Sequence, residues 1–455
     1  MNIISINPTN GEKIKKYALL TENEVTKKIE QTHSAWLSWK KTSHETRRAL
    51  LRKLAAILRK RSEQLAILMA DEMGKPVTQG LAEVQKCAAV CEYYASNAEH
   101  FLADELILTE ASKSYISFQP LGVVLAVMPW NFPLWQVFRF LAPALAAGNC
   151  GVLKHASNVP GCALAIEQMV IEAGFPPNVF QTLLISSSMV ENVIKNTLIV
   201  AVTLTGSTAA GISVAQKTGA MLKKTVLELG GSDAYIILAD ADIERAAEAC
   251  VNSRLINSGQ SCIAAKRFIV EQSVIEEFTQ LFLEKMRTKK LGNPLESTTE
   301  IGPQARTGLR NTLHEQVLKS IEKGAQCILG GTIPQGNNAF YPATILTNVT
   351  KGMPAYDEEL FGPVAAIISV KDEHEAISLA NDSVFGLGSA IFSKNIIKAE
   401  RIATEELQAG SAFVNVHVQS DPRLPFGGIK TSGYGRELSE YGIKEFVNIK
   451  TIYVK

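Results

Sequence analysis

The sequence predicts an α/β protein built on doubly wound parallel sheets. Three runs of mostly apolar residues, at 122–128, 151–154 and 200–204, have the composition of strands that are buried on both faces. Stretches with helical spacing of apolar residues separate them, and strands that alternate with helices form parallel βαβ units. The chain has 455 residues, too many for one hydrophobic core, so we expect two or three domains.

The segments before and after these strands follow the same alternation. Leu50, Leu54 and Leu58 recur at helical spacing between residues 21 and 70. Residues 114–118 alternate like a strand with one exposed face. The other predicted helices are 83–100, a stretch that ends near 147, 161–173, 242–257, 273–288 and 304–323. A strand is expected at 268–270 and a last one at 447–454.

The composition excludes several classes of partner. Lys and Arg total 46 against 45 Asp and Glu, so the chain offers no excess charge for nucleic acid. No apolar run is long enough to span a bilayer, and residues 1–16 lack a signal-peptide core, so no membrane association is expected. Seven scattered cysteines without a C-x-x-C pair predict neither a disulfide framework nor a zinc site. We therefore expect a cytoplasmic protein with free thiols.

Cys262 differs from the other cysteines in its surroundings. It ends the small polar turn Gly259-Gln260-Ser261-Cys262, between a predicted helix and a predicted strand, where a thiol can reach a cleft. A single cysteine is more often a small buried hydrophobe. Glu228, however, lies between two leucines and before two glycines, a setting that suits a carboxylate only beside a cavity. A nucleophilic sulfur and a carboxylate base in one pocket would suit covalent catalysis followed by hydrolysis.

A candidate phosphate-binding turn follows the strand at 200–204. Thr205-Gly206-Ser207 and then Gly211 open a predicted helix, and backbone N–H groups at a helix N-terminus favour a pyrophosphate. The glycines are five residues apart and do not form G-x-G-x-x-G, so without other motifs an ordinary strand-to-helix turn is the preferred interpretation.

Four motifs occur along the chain, P-W-N-F-P at 129–133, L-E-L-G-G at 227–231, G-Q-S-C at 259–262 and E-L-F-G-P at 359–363. They resemble, in this order, the motifs of the aldehyde dehydrogenase family. The resemblance covers essentially the whole chain, and further details resemble the succinate-semialdehyde dehydrogenase branch.

The resemblance also implies a domain organisation. A dinucleotide-binding domain would comprise 1–101 and 120–230, with 429–445 returning to it, and a catalytic domain would comprise 231–428. A small β oligomerisation element would comprise 102–119 and 446–455. Its last strand is expected to pair with the sheet of another subunit, in a homodimer or homotetramer.

The family resemblance assigns three catalytic residues. Cys262 would attack the aldehyde, Asn131 would donate to the oxyanion, and Glu228 would activate the water that hydrolyses the thioester. From the residues alone, Asn131 is as well explained as a cap of the next helix. Some lowering of the thiol pKa is expected, and no metal is required.

The resemblance implies a nicotinamide cofactor. The residues implied to hold it are Trp130, Lys154, Ser157, Gly206, Ser207, Gly211, Leu229, Glu359 and Phe361. Ser157 stands where NAD-preferring members typically carry a glutamate, whose charge would repel a 2′-phosphate. NADP is therefore the expected cofactor, with NAD possible. Without the resemblance, Lys154 would be a solvated strand end and Glu359 part of an acidic surface.

Arg139 is the residue that says most about the charge of the substrate. It lies between Phe138 and Phe140 in an almost wholly apolar predicted helix, so either an anionic ligand or a carboxylate elsewhere in the fold should pair with it. In the resembled branch, an arginine here binds the far carboxylate of succinate semialdehyde, with Trp135 lining the pocket and Ser420 a second contact. Eight helical residues would place Arg139 about 12 Å from Asn131 along the helix axis.

The chain departs from the branch pattern at two positions. Ile256 replaces a second arginine, so carboxylate binding depends more on Arg139. Ala264 replaces a second cysteine, so a local disulfide is excluded.

The expected substrate is an aldehyde that carries a carboxylate, namely succinate semialdehyde. Glutarate semialdehyde or a broad aliphatic range are the alternatives, as is a CoA-acylating enzyme, although Glu228 favours water as the acyl acceptor.

Overall fold

The computed structural model describes residues 2–336 and 338–455. The strands are β1 (Asn2–Ile6), β2 (Lys13–Ala18), β3 (Glu105–Leu106), β4 (Lys113–Pro120), β5 (Val123–Met128), β6 (Cys150–His155), β7 (Phe180–Thr182), β8 (Ile199–Thr205), β9 (Lys224–Glu228), β10 (Ala234–Ile237), β11 (Arg267–Glu271), β12 (Gln326–Leu329), β13 (Thr344–Thr347), β14 (Val364–Val370), β15 (Gly388–Phe392), β16 (Ser411–Val414), β17 (Gly433–Tyr434) and β18 (Val447–Val454).

The helices cover the stretches between these strands. They are α1 (Glu22–Trp39), α2 (His44–Lys60), α3 (Ser62–Met73), α4 (Val77–Phe101), α5 (Trp135–Ala147), α6 (Pro160–Glu172), α7 (Val190–Lys195), α8 (Thr208–Ala220), α9 (Ile243–Leu255), α10 (Ile275–Arg287), α11 (Thr307–Glu322), α12 (Pro354–Asp357), α13 (Glu373–Asn381), α14 (Ile396–Glu405) and α15 (Ser439–Lys444). None of the described helices is both long and apolar enough to cross a membrane.

The first large sheet has the strand order β17-β9-β8-β5-β6-β7, parallel except for β17 at its edge. The chain runs outward from β5 through β6 to β7, then returns to β8 on the other side of β5. Strand order therefore reverses between β5 and β8. Ligands of doubly wound sheets bind at the carboxyl ends of the strands at such a point.

The second large sheet has the order β12-β13-β14-β11-β10-β15-β16, parallel except for β12. The short strand β17 follows this sheet in the chain but pairs with β9, opposite Glu228. The chain thus returns to the first sheet after the second is complete.

A smaller sheet has the order β18-β4-β3. β18 pairs along its whole length with β4 of the same chain, from Val447 opposite Pro120 to Val454 opposite Lys113. The predicted strand at 447–454 is therefore present. Its other edge has no partner strand within the described chain, and pairing with another subunit stays a prediction.

The helical pattern predicted between residues 21 and 70 is present as α1, α2 and α3. One expectation about a helix near the site was wrong: α5 begins at Trp135, so Asn131 is not part of it. The carboxylate of Glu83 accepts hydrogen bonds from the backbone N–H groups of Leu134 and Trp135, each at 2.9 Å, which satisfies free donors at the start of α5. The helical distance of about 12 Å between Asn131 and Arg139 therefore does not apply.

Candidate active site

Two cavities meet at Cys262. One, of about 430 Å³, is lined by residues from α4, α5 and the loop that contains Ser420. The other, of about 420 Å³, lies at the carboxyl ends of β5 and β8, where the strand order reverses. Cys262 and Gln136 line both cavities. The thiol can therefore meet a molecule from either side.

A left-handed turn carries the chain from α9 to Cys262. Asn257, Ser258 and Gly259 have φ angles of 52°, 56° and 76°. The Asn257 amide stabilises this conformation because its Nδ2 donates to the carbonyl oxygen of Asn131 at 2.6 Å and to that of Gln260 at 3.0 Å. A Cβ on Gly259 would lie 2.2 Å from the Gly362 carbonyl, so only glycine fits there.

Asn131 lies beside this turn and is 4% exposed. Its Nδ2 donates to the carbonyl oxygen of Gln260 at 3.1 Å, which uses one of two amide hydrogens. The other hydrogen is available to an oxyanion next to Cys262. Since Glu83, and not Asn131, accepts from the first N–H groups of α5, the alternative interpretation as a helix cap is wrong.

The expected lowering of the Cys262 pKa is also wrong. Burial raises the pKa of this thiol to about 12, while the positive charges of Arg139 and Lys266 act in the opposite direction. Lys266 Nζ donates to the carbonyl oxygens of Ser261 and Cys262, at 2.9 and 2.6 Å. The thiol is therefore protonated at neutral pH and must transfer its proton before it attacks.

Glu228 ends β9 and is 2% exposed. Both of its carboxylate oxygens lack a hydrogen-bond partner among the described residues, and a Cβ on Gly427 would lie 2.8 Å from Oε1. Burial, together with the charge of Glu437, raises the pKa of Glu228 well above its usual range. A carboxyl group with a raised pKa suits proton transfer near neutral pH.

The cavity at the strand ends collects most of the residues predicted for the cofactor. Those that line it are Trp130, Gly206, Ser207, Leu229, Glu359 and Phe361. Trp130 and Phe361 pack edge to face, with ring centroids 5.7 Å apart. The Ser207 side chain caps α8 by accepting from the N–H of Ala210 at 3.3 Å. The donor-rich start of α8 therefore faces a cavity whose other wall is aromatic, an arrangement that fits a dinucleotide.

Gly211, Lys154 and Ser157 do not line this cavity. Gly211 lies beneath Leu229, where a Cβ would come within 2.5 Å of the leucine methyl groups, so its role is to let Leu229 pack. Lys154 pairs with Val127, which pairs in turn with Leu204, two residues before Gly206. Lys154 and the exposed Ser157 thus lie at the carboxyl ends of the strands, next to the cavity. Burial lowers the pKa of Lys154.

Glu359 contacts protein groups on the cofactor side. Its Oε1 accepts from the N–H of Gly231 at 3.1 Å and lies 3.6 Å from Lys266 Nζ. The side chain is 21% exposed, so Glu359 is not the free acidic surface group that the sequence alone allowed.

Arg139 has a carboxylate partner. Its Nε lies 2.6 Å from Oε2 of Glu437, and the two side chains are 2% and 5% exposed. The guanidinium also lies over the ring of Phe426, 4.5 Å from its centroid. Arg139 nevertheless lines the same cavity as Cys262, and its Nη2 has no hydrogen-bond partner among the described residues. The structure therefore shows the internal ion pair that the sequence left open, in a position that also faces the cavity.

Trp135 and Ser420 line the same cavity, as predicted. They meet at Lys86, a residue that the sequence analysis missed. Lys86 Nζ donates to Ser420 Oγ at 2.7 Å and lies 4.5 Å from the centroid of the Trp135 ring.

The comparisons with known proteins agree with this geometry. Residues 1–452 match the model of the aldehyde dehydrogenase family. The chain belongs to the aldehyde dehydrogenase family. A probable NADP(+) succinate-semialdehyde dehydrogenase of Synechocystis is 48% identical over 454 residues, with all of both chains covered. The NAD(P)+ succinate semialdehyde dehydrogenase Sad of Escherichia coli K12 is 44% identical, covering 99% of this chain and 97% of the relative.

A solved structure shows the same fold. Succinic semialdehyde dehydrogenase from Streptococcus pyogenes, in complex with NADP+, is 40% identical and superposes with a TM-score of 0.97 over 99% of both chains. The predicted family and the α/β fold with parallel sheets are thus confirmed. The roles of the individual site residues stay predictions.

Proposed function

We propose that this aldehyde dehydrogenase oxidises succinate semialdehyde to succinate, with NADP as the hydride acceptor. One observation carries the proposal: a single cavity has the thiol of Cys262 at one place on its wall and the guanidinium of Arg139 at another. An aldehyde that also bears a carboxylate matches this pair of groups. The relatives named for succinate semialdehyde support the same substrate.

Each catalytic residue has one task in this proposal. Cys262 loses its proton to solvent and, as the thiolate, attacks the aldehyde carbon, while the free amide hydrogen of Asn131 and the Cys262 backbone N–H stabilise the oxyanion. A bound nicotinamide would supply the hydride acceptor. Glu228 then removes a proton from the water that hydrolyses the thioester. Because Glu228 does not line either cavity, this step requires its carboxylate to turn towards the sulfur.

NADP is proposed because the strand ends next to the cavity lined by Trp130 and Phe361 carry Lys154, and because position 157 is a serine. Lys154 offers a positive charge, and Ser157 a hydroxyl, where a glutamate would repel a 2′-phosphate. The Synechocystis relative is named for NADP(+), and the E. coli relative for NAD(P)+. These names support NADP as the cofactor and are compatible with NAD as a second one.

We also propose that the chain forms a homodimer or homotetramer. The support is the outer edge of β18 together with exposed apolar side chains on this strand, Ile449 at 60% and Tyr453 at 55%. An exposed strand edge of this kind is stabilised by pairing with another copy. Light scattering on the purified protein gives the mass, and a monomer would contradict this proposal.

The reducing cytoplasm is proposed as the compartment because Cys262 must stay a free thiol.

Steady-state kinetics test the substrate. We expect kcat/KM for succinate semialdehyde to exceed that for butanal, an uncharged aldehyde of similar length, by about 100-fold, since a neutral chain offers no acceptor to Nη2 of Arg139, which has no hydrogen-bond partner among the described residues. Glutarate semialdehyde should follow as the nearest competitor. Equal kcat/KM values for butanal and succinate semialdehyde would refute the proposal.

A further inference from the structure

Lys86 differs from the other charged side chains that line the cavity containing Arg139 and Cys262, here called the substrate cavity. The others are Glu83, Arg139, Lys289 and Glu300. Glu83 forms a buried ion pair with Lys75, Arg139 is paired with Glu437, and Lys289 lies 2.8 Å from Glu300. Among the described residues, only Lys86 lines this cavity as a cation with no carboxylate at ion-pair distance.

The contacts of Lys86 hold its ammonium group at the cavity wall. Ser420 Oγ accepts one of its three hydrogens, and the face of Trp135 takes up part of its charge. Asp421, the acid next to Ser420, is 2.6 Å from Arg423 and so is already paired. The remaining ammonium hydrogens have no acceptor in the described protein, which points to an anion in the cavity.

The charge balance of the cavity supports the same conclusion. Arg139 and Glu437 cancel, so the pair by itself gives a second carboxylate little net attraction. A carboxylate placed there without another cation would leave a net negative charge in a partly buried site. With Lys86 protonated, two cations face Glu437 and the carboxylate of the ligand, and the charges balance.

We infer that Lys86 is a substrate-binding residue, which supplies the uncompensated positive charge for the carboxylate of the aldehyde while Arg139 stays paired with Glu437. This inference rests on the proposed function, because it assumes a substrate with a carboxylate. It also explains how the chain manages with Ile256 in place of a second arginine, because Lys86 of α4 supplies a positive charge to the cavity that Ile256 lines.

A pH dependence follows from the position of Lys86. Burial and the neighbouring charge of Arg139 lower the pKa of Lys86 to about 8, against the opposing influence of Glu83, Cys87 and Asp421. Below that pH the lysine is charged and binds the carboxylate, and above it the charge is lost. The ratio of kcat/KM for succinate semialdehyde to that for butanal should therefore fall as the pH rises through about 8. Titration of the catalytic groups affects both substrates and cancels in the ratio.

Three variants test the assignment. Lys86→Met removes the charge and keeps the length of the side chain, Lys86→Arg keeps the charge, and Lys289→Met is the matched control, since Lys289 lines the same cavity but is already paired with Glu300. In Lys86→Met, the substrate ratio should fall by roughly 10- to 100-fold, the scale for losing a charge-assisted hydrogen bond, through KM and not kcat. The fall of this ratio as the pH rises through about 8 should be absent in Lys86→Met. Lys86→Arg should recover most of the ratio, and Lys289→Met should keep it.

The inhibition constant of the product succinate, measured against butanal oxidation, gives a second measurement that requires no turnover of succinate semialdehyde. It should rise in Lys86→Met by the same factor as KM. If the parent enzyme preferred succinate semialdehyde and Lys86→Met retained that preference, the Lys86 assignment alone would be wrong. If the parent showed no preference over butanal, the proposed substrate itself would be wrong.

Discussion

Arg139→Met tests whether Arg139 and Glu437 act as a pair, because it removes the cation while keeping much of the side-chain volume. The two side chains are 2% and 5% exposed, and their charged atoms are 2.6 Å apart. Removing one partner of such a buried pair leaves the other charge uncompensated, which costs roughly 3–5 kcal/mol. At ~2–4 °C per kcal/mol for a domain of this size, the midpoint of thermal inactivation should fall by about 6–20 °C.

The double variant Arg139→Met with Glu437→Gln separates this effect from ligand binding. It removes both charges, and replacing a buried pair by neutral groups of similar size is often close to neutral in stability. The double variant should therefore regain most of the lost thermal midpoint, yet keep a raised KM for succinate semialdehyde. Inactivation is measured as residual butanal oxidation after heating. A double variant that inactivates as early as the single one would refute the pairing. An unchanged KM in both would show that Arg139 is purely structural.

Two further substitutions test the cofactor side. Ser157→Glu should shift the ratio of kcat/KM for NADP to that for NAD towards NAD by roughly 10- to 100-fold, since ~1–3 kcal/mol is lost when a carboxylate faces the 2′-phosphate. Ser157→Gln is the neutral control of equal size, and an equal shift in both variants would show that charge is not the cause. Gly211→Ala should raise KM for NADP because the new Cβ lies 2.5 Å from Leu229, which lines the cofactor cavity. Gly219→Ala in the same helix meets nothing within 4 Å and should leave that KM unchanged, so equal effects of the two alanines would contradict this explanation.

The sequence was informative where a local pattern reports a local structure. The apolar runs that became β5, β6 and β8 are such patterns, because strands buried on both faces need apolar residues at every position. The position of Cys262 after a polar turn was likewise readable. The left-handed conformation of Asn257 and Ser258 was not, because it depends on hydrogen bonds to Asn131 and Gln260 in the folded site.

Pairings between distant segments account for most of what the sequence could not show. Glu437 lies far along the chain from Arg139, and nothing near either residue marks them as partners. Lys86 lies within the predicted helix 83–100 and belongs to no motif, and only the folded chain brings it to Ser420. The start of α5 was misplaced for the same reason, since the carboxylate that caps it belongs to α4. The direction of the Cys262 pKa shift also required the structure, because burial is a property of the fold.

The central claim is that Cys262 and Glu228 act in succession on the same bound aldehyde. Mixing the Glu228→Gln variant with NADP and succinate semialdehyde, with absorbance and mass followed together, tests it most directly. The account predicts a burst of about one reduced cofactor per site, then a stall with a succinyl group on the peptide that contains Cys262. In the parent enzyme, hydrolysis of this thioester should accelerate as the pH rises, because Glu228 has a raised pKa and acts as a base only after losing its proton. Steady turnover of Glu228→Gln at the parental rate, or a burst that leaves Cys262 unmodified, would contradict the account.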